Sequence, residues 1–149
     1  MKPEIPSVVD MVAIVDRVSE LIRAHARGPV TVTQKPDRSL VTEVDTAANV
    51  KVATWSNQFS AVSFIGEEGA DSEVSSSHVI YLDPLDGTST FVAGKAEVSV
   101  VLTLMKRDQN EKWFPKTCVI AEPMTGYIWA SSFGSGVCMQ RQWLAVFVS

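Results

Sequence analysis

The chain has little cysteine. Of 149 residues only Cys118 and Cys138 are cysteine. They could form at most one disulfide, and a pair of free cytosolic thiols is the default reading. Neither cysteine stands at zinc-ligand spacing, and His25 and His78 are not placed to complete a tetrad. Basic character is also scarce. Thirteen Lys and Arg against seventeen Asp and Glu give a net charge of -4, with no basic stripe, so a nucleic acid polymer has poor electrostatic support as a partner. No apolar run is long enough to span a bilayer. The opening "MKPEIPSVVD" lacks the basic flank and apolar core of a signal peptide, and a cytoplasmic location without membrane contact is expected. There is no internal repeat and no low-complexity segment. The composition is 46% hydrophobic, which argues against disorder and for one domain with a real core.

Residues 7–27 read as a helix. Ser7 is a plausible N-cap with Asp10 three residues later, and Val8, Met11, Val12, Val15, Val18, Leu21 and Ile22 recur at helical spacing. Gly28 and Pro29 stop it. "VTVT" at 30–33 alternates like a short strand, and "QKPDRS" follows as a loop. A second helix is predicted over about 46–59, with Ala48, Val52, Trp55 and Phe59 on one face and Asp45 as its cap. "AVSFI", "VIYL", "VSVVLTLM" (98–105), "CVIAE" and "YIWAS" read as strands. "RDQNEK" and "PMTG" connect the later ones. The tail "WLAVFVS" fits one more strand. The sum is an α+β layered domain, two helices followed by a run of strands.

The acids are unevenly spread: eight of the seventeen fall between 43 and 86. Like charges crowd only if something offsets them, and a divalent cation would. The richest stretch is "DPLDGT" at 83–88, directly after the strand "VIYL". Asp83 sits at the strand end and Asp86 three residues on. Pro84 fixes φ and has no N–H. Leu85 can bury its side chain while its carbonyl oxygen faces out as a ligand. Gly87 permits positive φ. Thr88 adds a hydroxyl, and Gly87, Thr88 and Ser89 offer backbone N–H groups for a phosphate if a helical turn starts there. A hard cation such as magnesium asks for such oxygens.

Competing motifs fail on spacing. An EF-hand loop with Gly87 at its glycine position needs an acid where Ala93 stands, and a Walker A loop ending at Gly94 and Lys95 needs glycine at Ser89 and Ser or Thr at Ala96. Alone, "DPLDGT" is also an ordinary turn sequence.

It is not alone. "DRSLVTEVD" (37–45), "FIGEE" (64–68) and "YLDPLDGTSTF" (81–91) occur in order, and "CVIAEPMTGYIWASSFGSG" follows. Together they resemble the magnesium-dependent, lithium-sensitive phosphatases of the inositol monophosphatase superfamily, over about residues 8–138. The resemblance implies the layered αβαβα sugar-phosphatase fold and hydrolysis of a small phosphorylated polyol, first of all an inositol phosphate, by metal-activated water. A 3',5'-bisphosphate nucleotide is the alternative substrate. It implies Glu67, Asp83, the Leu85 carbonyl and Asp86 as metal ligands, with Asp83 bridging two metals. Thr88 and Asp45 would orient the attacking water. Glu68 would support. Lys35 lies where relatives carry a basic residue facing the site, although a plain surface lysine is the simpler reading.

The chain departs from the family's pattern in its second half. It contains no Trp-Asp pair, the motif whose aspartate completes the family's second metal site; Trp143 is followed by Leu144. Residues 1–149 therefore read as an N-terminal metal-binding domain with the C-terminal domain missing, holding one magnesium ion where the intact family holds two or three. The intact form is a possible homodimer. Exposed apolar surface and self-association are expected where the second domain would pack. The rival reading is a non-catalytic family member that binds a cation or a partner. The "GTSTF" run matches neither the inositol monophosphatase nor the nucleotidase variant of the motif, so the substrate stays open.

Overall fold

The structure, a computed structural model, describes residues 1–69 and 73–141, the side chains of 138–141 excepted. The chain order is α1 (Val8–His25), β1 (Val32–Gln34), β2 (Leu40–Thr42), α2 (Glu43–Ser56), β3 (Val62–Gly66), β4 (His78–Asp86), α3 (Thr88–Val92), β5 (Ser99–Arg107), β6 (Trp113–Glu122), β7 (Tyr127–Ser132) and β8 (Val137–Arg141).

α1 starts as its sequence requires. The Ser7 hydroxyl accepts from the Asp10 amide at 3.2 Å, and the Asp10 carboxylate accepts from the Ser7 amide at 2.8 Å. This reciprocal pair satisfies two N-terminal donors. Met11, Ile14, Val15, Val18 and Ile22 form the buried stripe.

α2 differs from the expected helix. It begins at Glu43 and ends at Ser56, and its N-cap is Thr42, not Asp45. Asp45 lies one turn inside, as the third residue of a second capping box. The reason is visible in the spacing: a threonine followed by an acid three residues later is itself a helix-start signature. Phe59 falls beyond the helix end but still packs its ring edge-to-face on Trp55, with centroids 5.1 Å apart.

Six strands form one sheet in the order β3-β4-β5-β6-β7-β8. Only β3 and β4 are parallel; each later neighbour pair is antiparallel. β1 and β2 make a separate small hairpin, of which β2 was not expected. β4 runs longer than "VIYL", through Asp86, and β6 longer than "CVIAE". The tail "WLAVFVS" lies outside the described residues.

α1 and α2 pack on one face of the sheet. Phe64, Ile80, Leu82, Val100, Leu102, Leu104, Val119, Ala121 and Ile128 alternate inward to join the helix stripes in one core, as the two-residue strand period dictates. The opposite face carries the intervening residues, among them Tyr81 (42% exposed) and Ile120 (38%). Among the described residues no helix is long and apolar enough to cross a membrane.

Candidate metal centre

The parallel pairing of β3 and β4 creates the site. Parallel strands end at the same edge of a sheet, where sites gather. Gly66 stands opposite Leu82, so the next residues, Glu67 and Asp83, emerge side by side. The Glu67 amide donates to the Leu82 carbonyl at 3.0 Å, which fixes this register one step past the strand. Beyond Asp83 the β4–β5 register slips: Asp83 faces Val101, but Asp86 faces Ser99. Three steps on one strand oppose two on the other, a bulge. It turns Leu85 into the core, 1% exposed, and leaves Asp86 exposed, where it accepts the Ser99 hydroxyl at 3.3 Å.

Gly87 has φ of 90°, and a Cβ there would stand 3.1 Å from the Glu97 carbonyl oxygen. This left-handed corner needs glycine, and it launches α3. The first amides of a helix find no carbonyl within it. Thr88 and Ser89 are the first two residues of α3.

Thr88 joins the second carboxylate system. Its hydroxyl lies 3.0 Å from both the Asp45 carboxylate and the Leu85 carbonyl oxygen, sharing one proton between them. Asp45 is 1% exposed. Its other oxygen accepts from the Thr42 amide at 2.7 Å and from the Thr42 hydroxyl. Leu85 in turn donates its amide to Asp83 at 3.2 Å. A continuous chain thus runs from Asp45 through Thr88 and Leu85 to Asp83.

The electrostatics single out Asp83. Burial, then the nearby charge of Glu67 and a hydrogen bond with its carboxyl, then Asp86, push the Asp83 carboxyl up from 3.8 to about 7. Burial and neighbouring anions both disfavour a carboxylate. Glu68, whose side chain is 7% exposed, pairs with the Lys35 ammonium at 2.7 Å, and Lys35 also stands 3.6 Å from Glu67. Lys35 is therefore not a free surface lysine; its own ammonium is held protonated by Glu68 to above its ordinary range. An open groove of about 390 Å³ begins at Glu67 and Asp83 and runs over Ile65, Tyr81, Val101 and Thr103.

Among the described residues no three carboxylate, imidazole or thiolate groups converge as a ready-made cage. What converges is two carboxylates, Glu67 and Asp83, with the Leu85 amide on Asp83 and the Leu85 carbonyl accepting from Thr88. Those carboxylates, with the charge of Asp83 opposed by burial and by Glu67, suit a hard divalent cation. Asp86, expected as a fourth ligand, is exposed, accepts the Ser99 hydroxyl through one oxygen at 3.3 Å and stands near enough to Asp83 to oppose its charge. Thr42 and Asn49 were not singled out from sequence. Thr42 was legible as the residue three before Asp45 in a helix-start pattern, and Asn49 as the residue one turn after Asp45 on the same helix face.

Comparison with known proteins gives this arrangement a context. The sequence profile of the inositol monophosphatase family matches residues 7–147. The chain belongs to the inositol monophosphatase family. A curated relative, the Nus factor SuhB of Vibrio cholerae, is 30% identical over 109 residues, 72% of this chain and 39% of that protein. Among solved structures, a Thermotoga maritima IMPase superposes with a TM-score of 0.75 at 23% identity, over 89% of this chain and 50% of that one. An IMPase/NADP phosphatase complexed with Mg2+ and phosphate superposes with a TM-score of 0.69 at 18% identity, over 89% and 48%. The chain spans about half the length, or less, of these relatives, and the likeness to the solved structures establishes the family's layered α+β fold.

Proposed function

We propose that residues 1–149 form the N-terminal metal-binding unit of a magnesium-dependent phosphomonoesterase, acting in the cytoplasm on a small phosphorylated polyol, with an inositol phosphate as the first substrate to test. The observation that carries this reading is the chain of contacts from Asp45 through Thr88 and Leu85 to Asp83, set beside Glu67 at the ends of two parallel strands. Family membership and the magnesium and phosphate complex of a structural neighbour support it.

Glu67, Asp83 and the Leu85 carbonyl would hold the first ion. Asp86 would join through the carboxylate oxygen that Ser99 does not hold. Magnesium bound there would supply water activation and charge neutralisation on the leaving oxygen. The chain's own residues do the positioning. Asp45 is buried and fully engaged, so it holds Thr88 in one rotamer, and the pair orients an attacking water. The amides of Gly87, Thr88 and Ser89 receive phosphate oxygens. Glu68 supports by fixing Lys35 beside Glu67. Phosphoryl transfer asks for this kind of positioning and charge more than for a covalent step by the protein.

The test is phosphate release from a panel of inositol phosphates, a 3',5'-bisphosphate nucleotide and fructose bisphosphate, with magnesium and with added lithium. Lithium-sensitive release that Thr88→Val removes supports the reading. No release by this chain, together with magnesium binding intact, favours the second reading, a family member that binds a cation or a partner without turnover. That reading draws on the Nus factor name of the curated relative.

A further inference from the structure

We propose that Asn49 is a positioning residue of the metal centre: from α2 it grips the Gly66–Gly69 turn and so sets where Glu67 and Glu68 stand. The inference rests on the reading of Glu67 as a metal ligand.

Asn49 is 2% exposed and sits one helical turn after Asp45, on the same face. Its Nδ2 donates to the Gly69 carbonyl at 2.8 Å. Its Oδ1 presses on the other end of the turn: a Cβ at position 66 would lie 1.8 Å from that oxygen and 2.8 Å from Cγ. The side chain thus touches both ends of a four-residue turn whose two middle residues are the acids. The turn's internal closure is weak, a Gly69 amide to Gly66 carbonyl contact of 3.3 Å. The Asn49 oxygen is buried and has no hydrogen-bond partner among the described residues. A fully buried amide that leaves an oxygen unpaired is unfavourable, and an apolar side chain would avoid that. The amide's contribution is therefore its grip on the turn. α2 in this way holds both sides of the centre, the Asp45–Thr88 side through one turn and the Glu67–Glu68 side through the next.

The experiment compares wild type, Asn49→Ala, Gly66→Ala and the double variant by amide hydrogen exchange and by calorimetry with magnesium alone. Asn49→Ala should speed exchange selectively at residues 66–69 by about tenfold, the loss expected for one buried hydrogen bond. The Thr88 amide should be unchanged and magnesium affinity should weaken several-fold. Gly66→Ala should lower the thermal midpoint, and adding Asn49→Ala should recover part of it, since the clash is with that side chain. Exchange that rises evenly along the chain, or a double variant whose losses simply add, overturns the inference. In wild type alone, the Asn49 side-chain amide protons should exchange slowly; exchange at solvent rates overturns it without any variant. A wild-type chain that binds no magnesium defeats the metal reading of Glu67, while the exchange pattern still decides whether Asn49 holds the turn.

Discussion

Replacing Asp83 with asparagine should make the metal-free chain more stable above neutral pH while removing its magnesium affinity. The folded carboxyl titrates near 7 instead of 3.8 because burial, Glu67 and Asp86 all oppose its charge. Between those values the folded chain holds a proton that the unfolded chain releases. The contribution is favourable in full below about pH 4, falls as pH rises, and levels off above about 7. At about 1.4 kcal/mol per tenfold change, the rise corresponds to about 4 kcal/mol. Asp83 is partly exposed, and solvent screening brings the expected penalty nearer 2 kcal/mol. Asparagine carries no charge, keeps an oxygen for the Leu85 amide, and can donate to Glu67. The variant should therefore gain about 4–8 °C in midpoint at pH 8 in chelator, with little gain at pH 4. In wild type, magnesium affinity should increase through pH 7 as the proton is lost. The assay is thermal unfolding of both chains across pH 4–8 in EDTA, followed by calorimetric magnesium titration. Parallel midpoint curves, or a lower midpoint for the variant at pH 8, would refute the crowded-carboxylate argument.

Asp45→Ala should cost about 2–4 kcal/mol in urea unfolding, because it strands the Thr42 amide and hydroxyl in a buried site while Thr88 keeps the Leu85 carbonyl. Thr88→Val should cost only about 1–2 kcal/mol, which makes it the cleaner probe of turnover. Lys35→Met leaves the buried Glu68 carboxylate unpaired and should lose about 1–3 kcal/mol at pH 7, read from the same denaturant curves. Ser7→Ala should lower stability by about 1 kcal/mol by opening the α1 capping box. Asp10 is held below 3.8 by its Ser7 hydrogen bonds, so that box contributes above this value and fades as pH falls below it.

The helix and strand periods made most of the fold legible. α1 came with its cap, and β3, β4 and β5 came from apolar runs that alternate into the core. What escaped was set by partners distant in sequence. β2 is three residues long and exists through pairing with β1. The extension of β4 through "DPLD" depends on a bulge in β4 against β5, which no local signal announces. The start of α2 was misread because Asp45 was assigned the cap. The Thr42–Asp45 spacing carried the better answer. At the site, the residue types of Asp83, Glu67, Thr88 and Asp45 were readable as motifs. The contact of Asp86 with Ser99 and the burial of Glu68 under Lys35 required the sheet and the loop to be in place.

These departures bear on how the centre works. Asp45 has both oxygens committed to backbone and hydroxyl donors, so its geometry is fixed by α2 before any ligand arrives. Asp83 is the opposite case. Its charge is opposed by its neighbours, and a cation relieves that opposition. Glu67 lies between, half exposed and near a lysine that already offsets part of its charge. Folding thus stabilises the Asp45–Thr88 side by hydrogen bonds and leaves the Glu67–Asp83 side electrostatically unfavourable. Cation binding should therefore tighten the Glu67–Asp83 edge and barely move Thr88. Amide exchange with and without magnesium reads this directly: protection should rise at residues 66–69 and 83–86 and stay level at 88–91. A uniform rise would mean that the two sides are one cooperative unit, and the division of labour between α2 and the strand ends would not hold.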